Sequence, residues 1–200
     1  MGMSQPEQGL RLLERLSASL TGPVVLRSLA AELGVSHPAV GGWIGALADA
    51  YLVLVLFQET GGVPDVRKQR KVYPIDPFLA YLPARRSPGA YEPAISQVAE
   101  AALGVAIFRA VEGEAIDRFG RPGHLFFYRT SSGGEVDFVV LPVPRAAESK
   151  YVDSPSTREA RAMVANFDGG LLLTRGAIDL RPGVTIIPAA LFAWLLDQRC

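Results

Sequence analysis

Apolar residues recur at helical spacing from Leu10 to Leu20, with Leu10, Leu13, Leu16 and Leu20 on one face and Arg11 and Arg15 off it. Gly22-Pro23 stops that predicted helix. From Val24 the pattern tightens. Leu26, Leu29, Ala30 and Leu33 make a short apolar face, Gly34 supplies a turn, Ser36 offers an N-cap, and Val40, Ile44 and Leu47 make a second face. Two short helices joined by a glycine turn predict a helix-turn-helix. The apolar run Leu52 to Gln58 then reads as a strand, and Gly61-Gly62 and Pro64-Asp65 turn the chain into a second strand ending near Tyr73. That hairpin would be a wing. Residues 77 to 93 are rich in proline and carry little periodicity, so a linker is predicted over 81–92, between a first domain at 1–80 and a second at 93–200.

Beyond the linker an Ala-rich helix is predicted from Ala94 to Val111, followed by strands at Leu125–Thr130, Glu135–Leu141 and Ala146–Val152. A helix follows over Thr157–Phe167 behind a Ser156–Glu159 capping box, then strands at Leu171–Thr174 and Val184–Ile187, then a helix from Pro188 to Leu196. The order α-β-β-β-α-β is a mixed α/β plan with a small sheet between helices.

Composition narrows the class. Half the residues are apolar (49%), which excludes global disorder, and Lys plus Arg (20) balance Asp plus Glu (20), so any basic surface must be local. The one cysteine, Cys200, excludes an internal disulfide framework and a Cys-based zinc site, which fits a reducing cytoplasm. Apolar runs fall well short of the ~18 residues that span a bilayer, so neither secretion nor a membrane partner is expected.

The chemistry gathers in the second half. Strand alternation sets Glu148 and Lys150 on one face, and a hairpin could stand Asp137 beside them. Two carboxylates suit Mg²⁺ or Mn²⁺, and a neighbouring lysine can orient water or offset charge on a scissile phosphate. Asp137 followed by Glu148-Ser149-Lys150 has the form of the PD-(D/E)xK nuclease signature. Glu100, on the preceding helix, would add a third carboxylate. Lys150 is one of only three lysines, with Lys68 and Lys71, against seventeen arginines. Val136 stands where such a motif often has proline, and Ser149 replaces the usual aliphatic residue.

The run from Phe126 to Val139, with its Gly133-Gly134-Glu135-Val136-Asp137-Phe138 core, resembles the C-terminal part of a large group of prokaryotic AAA-type ATPases. Matching segments recur in order: LAAELGVSHPAV, KQRKVYPID, the helix with Glu100, Glu148-Ser149-Lys150, TREARAM and GLLLTRG. The resemblance implies a winged helix followed by a restriction-endonuclease-like domain, with Asp137, Glu148, Lys150 and Glu100 as catalytic positions and Asp137 and Glu148 as metal ligands. The chain has no GxxxxGK[ST] loop, so ATP is not expected as a cofactor, and an ATPase would be a separate protein partner.

DNA is the other expected partner. Arg67, Lys68, Arg70 and Lys71 on the wing, with His37 at the start of the second helix, are the candidate contacts, of a kind that grips phosphates without reading sequence. The recognition helix presents His37, Ala39, Gly41, Gly42 and Gly45, which offer almost nothing to base edges and disfavour a sequence-specific regulator. The alternative to a nuclease is a non-catalytic module that binds DNA or protein, with a degenerate site.

Overall fold

A computed structural model describes residues 6–86, 89–113, 119–143 and 145–197; Cys200 lies outside them. Its helices are α1 (Pro6–Ala18), α2 (Leu26–Leu33), α3 (His37–Asp49), α4 (Pro77–Arg86), α5 (Ile95–Glu112), α6 (Arg161–Phe167) and α7 (Ala189–Asp197). The strands are β1 (Val53–Thr60), β2 (Val63–Pro74), β3 (Leu125–Arg129), β4 (Glu135–Val140), β5 (Arg145–Lys150), β6 (Gly170–Thr174), β7 (Asp179–Arg181) and β8 (Val184–Pro188). The fold is mixed α/β, and all eight strands form one sheet in the order β2-β1-β3-β4-β5-β6-β8-β7.

Local chemistry sets the boundaries. Ser36 caps α3 by accepting from the Ala39 N–H, and Gly34 turns between α2 and α3 at φ 67°. The chain expected as a linker is partly helix: Pro77 opens α4, Asp76 accepts from the Phe78 N–H at 2.8 Å, and Ala80 and Pro83 are buried. Prolines that read as punctuation therefore start a helix and pack inside it. The Ser156–Glu159 box forms, but it opens a 3₁₀ turn (Thr157–Ala160) that leads into α6.

The two expected domains share one sheet and one core. β1 runs parallel to β3, with Gln58 opposite Phe127, and one continuous apolar cluster includes Leu12 and Leu16 of α1, Ile44 of α3, Tyr73 of β2, Phe108 of α5 and Ala189 of α7. A second cluster under α6 contains Val136, Val139, Ala146, Met163, Leu172 and Ile186. Strand neighbours split between the two clusters, as Leu172 and Leu173 do, which is the period-two alternation of a sheet covered on both faces.

Two irregularities in the ladder matter for function. Phe57 pairs with Arg70 while Gln58 pairs with Asp65, so residues 66–69 arch away from β1. On β4, Phe126 faces Val139 and Tyr128 faces Val136, leaving Asp137 and Phe138 opposite Phe127 alone. This is a β-bulge, which kinks a strand and re-aims a side chain.

Candidate active site and basic cleft

The β4 bulge turns Asp137 toward α5 while Val136 and Val139 stay under α6. Pairing between β4 and β5 runs from Val140 opposite Arg145 to Phe138 opposite Ala147 and stops there. Past that point β5 is unpaired on the β4 side, and the Ser149 N–H donates to Asp137 Oδ2 at 2.9 Å. Helix α5 lies close above the sheet because Gly104, one turn after Glu100, has no side chain: a Cβ there would sit 3.0 Å from Phe138 Cε1 and 3.2 Å from Tyr73 Cδ2. Glu100 is thereby lowered onto β2 and β4.

Into this space β2 delivers Lys71. Expected as a DNA contact on the wing surface, Lys71 is instead fully buried (0% exposed), because its strand position points inward with Tyr73. Its Nζ lies 2.7 Å from Asp137 Oδ1, 2.7 Å from Glu135 Oε1 and 3.0 Å from Glu100 Oε1. The Tyr73 hydroxyl donates to Glu100 Oε1 at 2.7 Å. On β5, Lys150 Nζ pairs with Glu148 Oε1 at 2.9 Å, and Glu148 Oε2 is buried without a hydrogen-bond partner.

The four residues read from the motif thus share one electrostatic centre. Glu135 and Tyr73 belong to it too and escaped the sequence reading, and so does Lys71, which the sequence placed on the DNA-facing wing. The signal for them was alternation: Glu135 stands two before Asp137, and Lys71 two before the apolar Tyr73, on strands whose parity puts each pair on one face.

Four carboxylates meet two ammonium groups here, and the protonation pattern follows. Burial, and then Asp137 nearby, push Glu148 up to about 8 against the pull of Lys150. Burial and Asp137 likewise raise Glu100 to about 7. Burial opposes the charge on Asp137, yet the ammonium groups of Lys71 and Lys150 and the Ser149 N–H hold it below the usual aspartate range. Burial also opposes the charge on Lys71, and the surrounding Tyr73, Asp137, Glu100 and Glu135 more than restore it. The centre holds protons where it lacks positive charge.

Among the described residues no three carboxylate, histidine or cysteine side chains form a ready metal shell. The three carboxylates that do converge close on the Lys71 ammonium. What remains for a cation is the pair Asp137 and Glu148, with the orphaned Glu148 Oε2. That pair fits one ion that keeps most of its water, as Mg²⁺ does when one or two carboxylates hold it.

A cleft of about 850 Å³ opens where the arch at 66–69 meets the start of α2, the start of α3 and the β3–β4 turn. Arg27, His37, Arg67, Lys68, Arg70 and Arg129 line it, and none of its lining residues is acidic. Arg27, His37, Arg67 and Lys68 are exposed. Arg70 is committed elsewhere: its guanidinium lies over the Phe57 ring, 5.2 Å from the centroid, and donates to the Val66 carbonyl. Arg129 donates to Gln69 Oε1 at 2.9 Å. Arg27 and Arg129 were not anticipated, since each lies far along the chain from the basic run on β2. Gln69 stands two residues from Lys71 on β2, and Arg129 pairs across the sheet with Glu135, so two lining residues neighbour members of the carboxylate centre along their strands. Among the described residues no helix is long and apolar enough to cross a membrane. No family model, curated protein or solved structure matches this chain.

Proposed function

We propose that the chain is a Mg²⁺- or Mn²⁺-dependent phosphodiesterase acting on DNA, built as a winged helix joined to a restriction-endonuclease-like sheet of PD-(D/E)xK type. The observation that carries this reading is the unpartnered, buried Glu148 Oε2 in one centre with Asp137 and Lys150. A lone carboxylate oxygen withdrawn from water costs free energy unless a cation or a proton meets it. Asp137 and Glu148 would hold the ion, whose chemistry when bound is to polarise a phosphate and acidify water. Lys150, half-exposed beside Glu148, orients the attacking water and offsets charge growing on the phosphate. Glu100, with its raised affinity for a proton, adds outer charge that can be withdrawn or restored near neutrality. Plasmid DNA with Mn²⁺ is expected to be nicked by the wild-type chain and not by Asp137→Ala; equal nicking by both removes the assignment.

The basic cleft supports backbone contact with DNA. Arg27→Ala is expected to weaken duplex binding about equally for all sequences and to reduce the slope of log K against log salt by about 0.9. A fluorescence titration at several salt concentrations reads this, and an unchanged slope would take Arg27 out of the interface. The likeness to the back half of AAA-type ATPases supports a separate ATPase as the protein partner.

A second reading is favoured by Lys71, which saturates Asp137 Oδ1 and Glu100 Oε1 from within the chain. On that reading the sheet is a non-catalytic scaffold that binds DNA or protein. Calorimetry with Mn²⁺ separates the two: a nuclease centre binds the ion and loses it in Glu148→Ala, and a scaffold gives no heat.

A further inference from the structure

We propose that Lys71 fills a second cation position with its own ammonium, so that the centre admits one divalent ion, at Asp137 and Glu148, and excludes another. This rests on the metal-dependent reading above and specifies it. Two-metal phosphodiester sites place their ions about 3.5–4 Å apart around shared carboxylate oxygens. Asp137 is the shared carboxylate here: Lys71 takes Oδ1 and the Ser149 N–H takes Oδ2.

The ammonium is saturated. It has three N–H donors, and three carboxylate oxygens, from Asp137, Glu135 and Glu100, lie within 3.0 Å of it. It is also anchored. Lys71 is 0% exposed, it pairs with Leu56 on β1, and Val72 and Tyr73 beside it belong to the core, so its removal would drag β2 from the sheet. A divalent ion entering the same three oxygens would meet a fixed positive charge at bonding distance. At Glu148 the balance is opposite, since Lys150 covers one oxygen and Oε2 stands buried and free.

The test counts bound Mn²⁺ on the full chain by electron paramagnetic resonance of the free ion, with calorimetry alongside. The wild type is expected to bind one ion and Glu148→Gln none. Lys71→Ala is expected to bind two, because Glu100, Glu135 and Asp137 then face a vacated position. Glu135→Gln, which leaves the Lys71 ammonium in place, is expected to bind one ion and no second, and this arm decides if Lys71→Ala does not fold. Two ions on the wild type, one on a folded Lys71→Ala, or any count but one on Glu135→Gln would overturn the inference and leave the nuclease reading standing. No ion on the wild type would remove both.

Discussion

Lys71→Met is expected to lower folding stability by about 3–5 kcal/mol at pH 8, the usual cost of removing one partner from a buried ion cluster. Methionine fills nearly the same volume as the lysine stem, so packing changes little and the loss is electrostatic. Glu100 and Asp137 would stay buried and Glu135 half-buried, and all three would lose the charge that holds them together. As pH falls they can take up protons instead, so the loss should shrink toward pH 5. Lys68, three residues earlier and exposed on the arch, makes the control: Lys68→Met should stay within about 0.5 kcal/mol of wild type. Urea titrations of both variants at the two pH values read the difference. Equal losses in the two variants would mean that Lys71 does not neutralise the carboxylates.

The wild type in chelator is expected to lose stability as pH rises from about 5 to about 8. In the folded chain Glu148 and Glu100 hold protons up to about 8 and about 7, against 4.5 for a free glutamate. Between those values the folded state binds more protons than the unfolded state, so stability falls with pH. Asp137 acts in the opposite sense: its lowered value contributes stability that is present above the ordinary aspartate value of 3.8 and lost as pH drops below it. The maximum therefore lies on the acid side of neutrality, between these windows. The fall should be on the order of a few kcal/mol, since a tenfold change in proton affinity is worth ~1.4 kcal/mol and two glutamates that share one centre do not contribute additively. Glu148→Gln should flatten the profile. A wild-type curve that rises steadily to pH 8 would contradict the assigned protonation.

Much of the fold was legible because its signals were local. The Leu26 and Val40 faces, the Gly34 turn and the Ser36 cap predict α2 and α3, and alternation around Asp137 predicts β4. α4 was hidden because Pro77 and Pro83 read as breaks, and β7 because three residues bounded by turns carry no period. In the site, Asp137, Glu148 and Lys150 followed from spacing on adjacent strands. Lys71 did not: local sequence makes it one of four basic residues in Arg67-Lys68-Gln69-Arg70-Lys71, and only long-range pairing of the hairpin with the second half shows that it faces inward. The same limit hid Arg27 and Arg129, which join the cleft through tertiary structure.

The parallel seam between β1 and β3 has a consequence for how this chain can be divided. A fragment starting near Pro93 would retain all four acids of the centre while discarding Lys71, the ammonium that three of them close on, and would strip the sheet of two strands at once. The N-terminal piece alone would leave Lys71 without Glu100, Glu135 and Asp137. The two parts are joined through one sheet and one ion cluster, and any recombination that exchanged the hairpin would have to carry its lysine along.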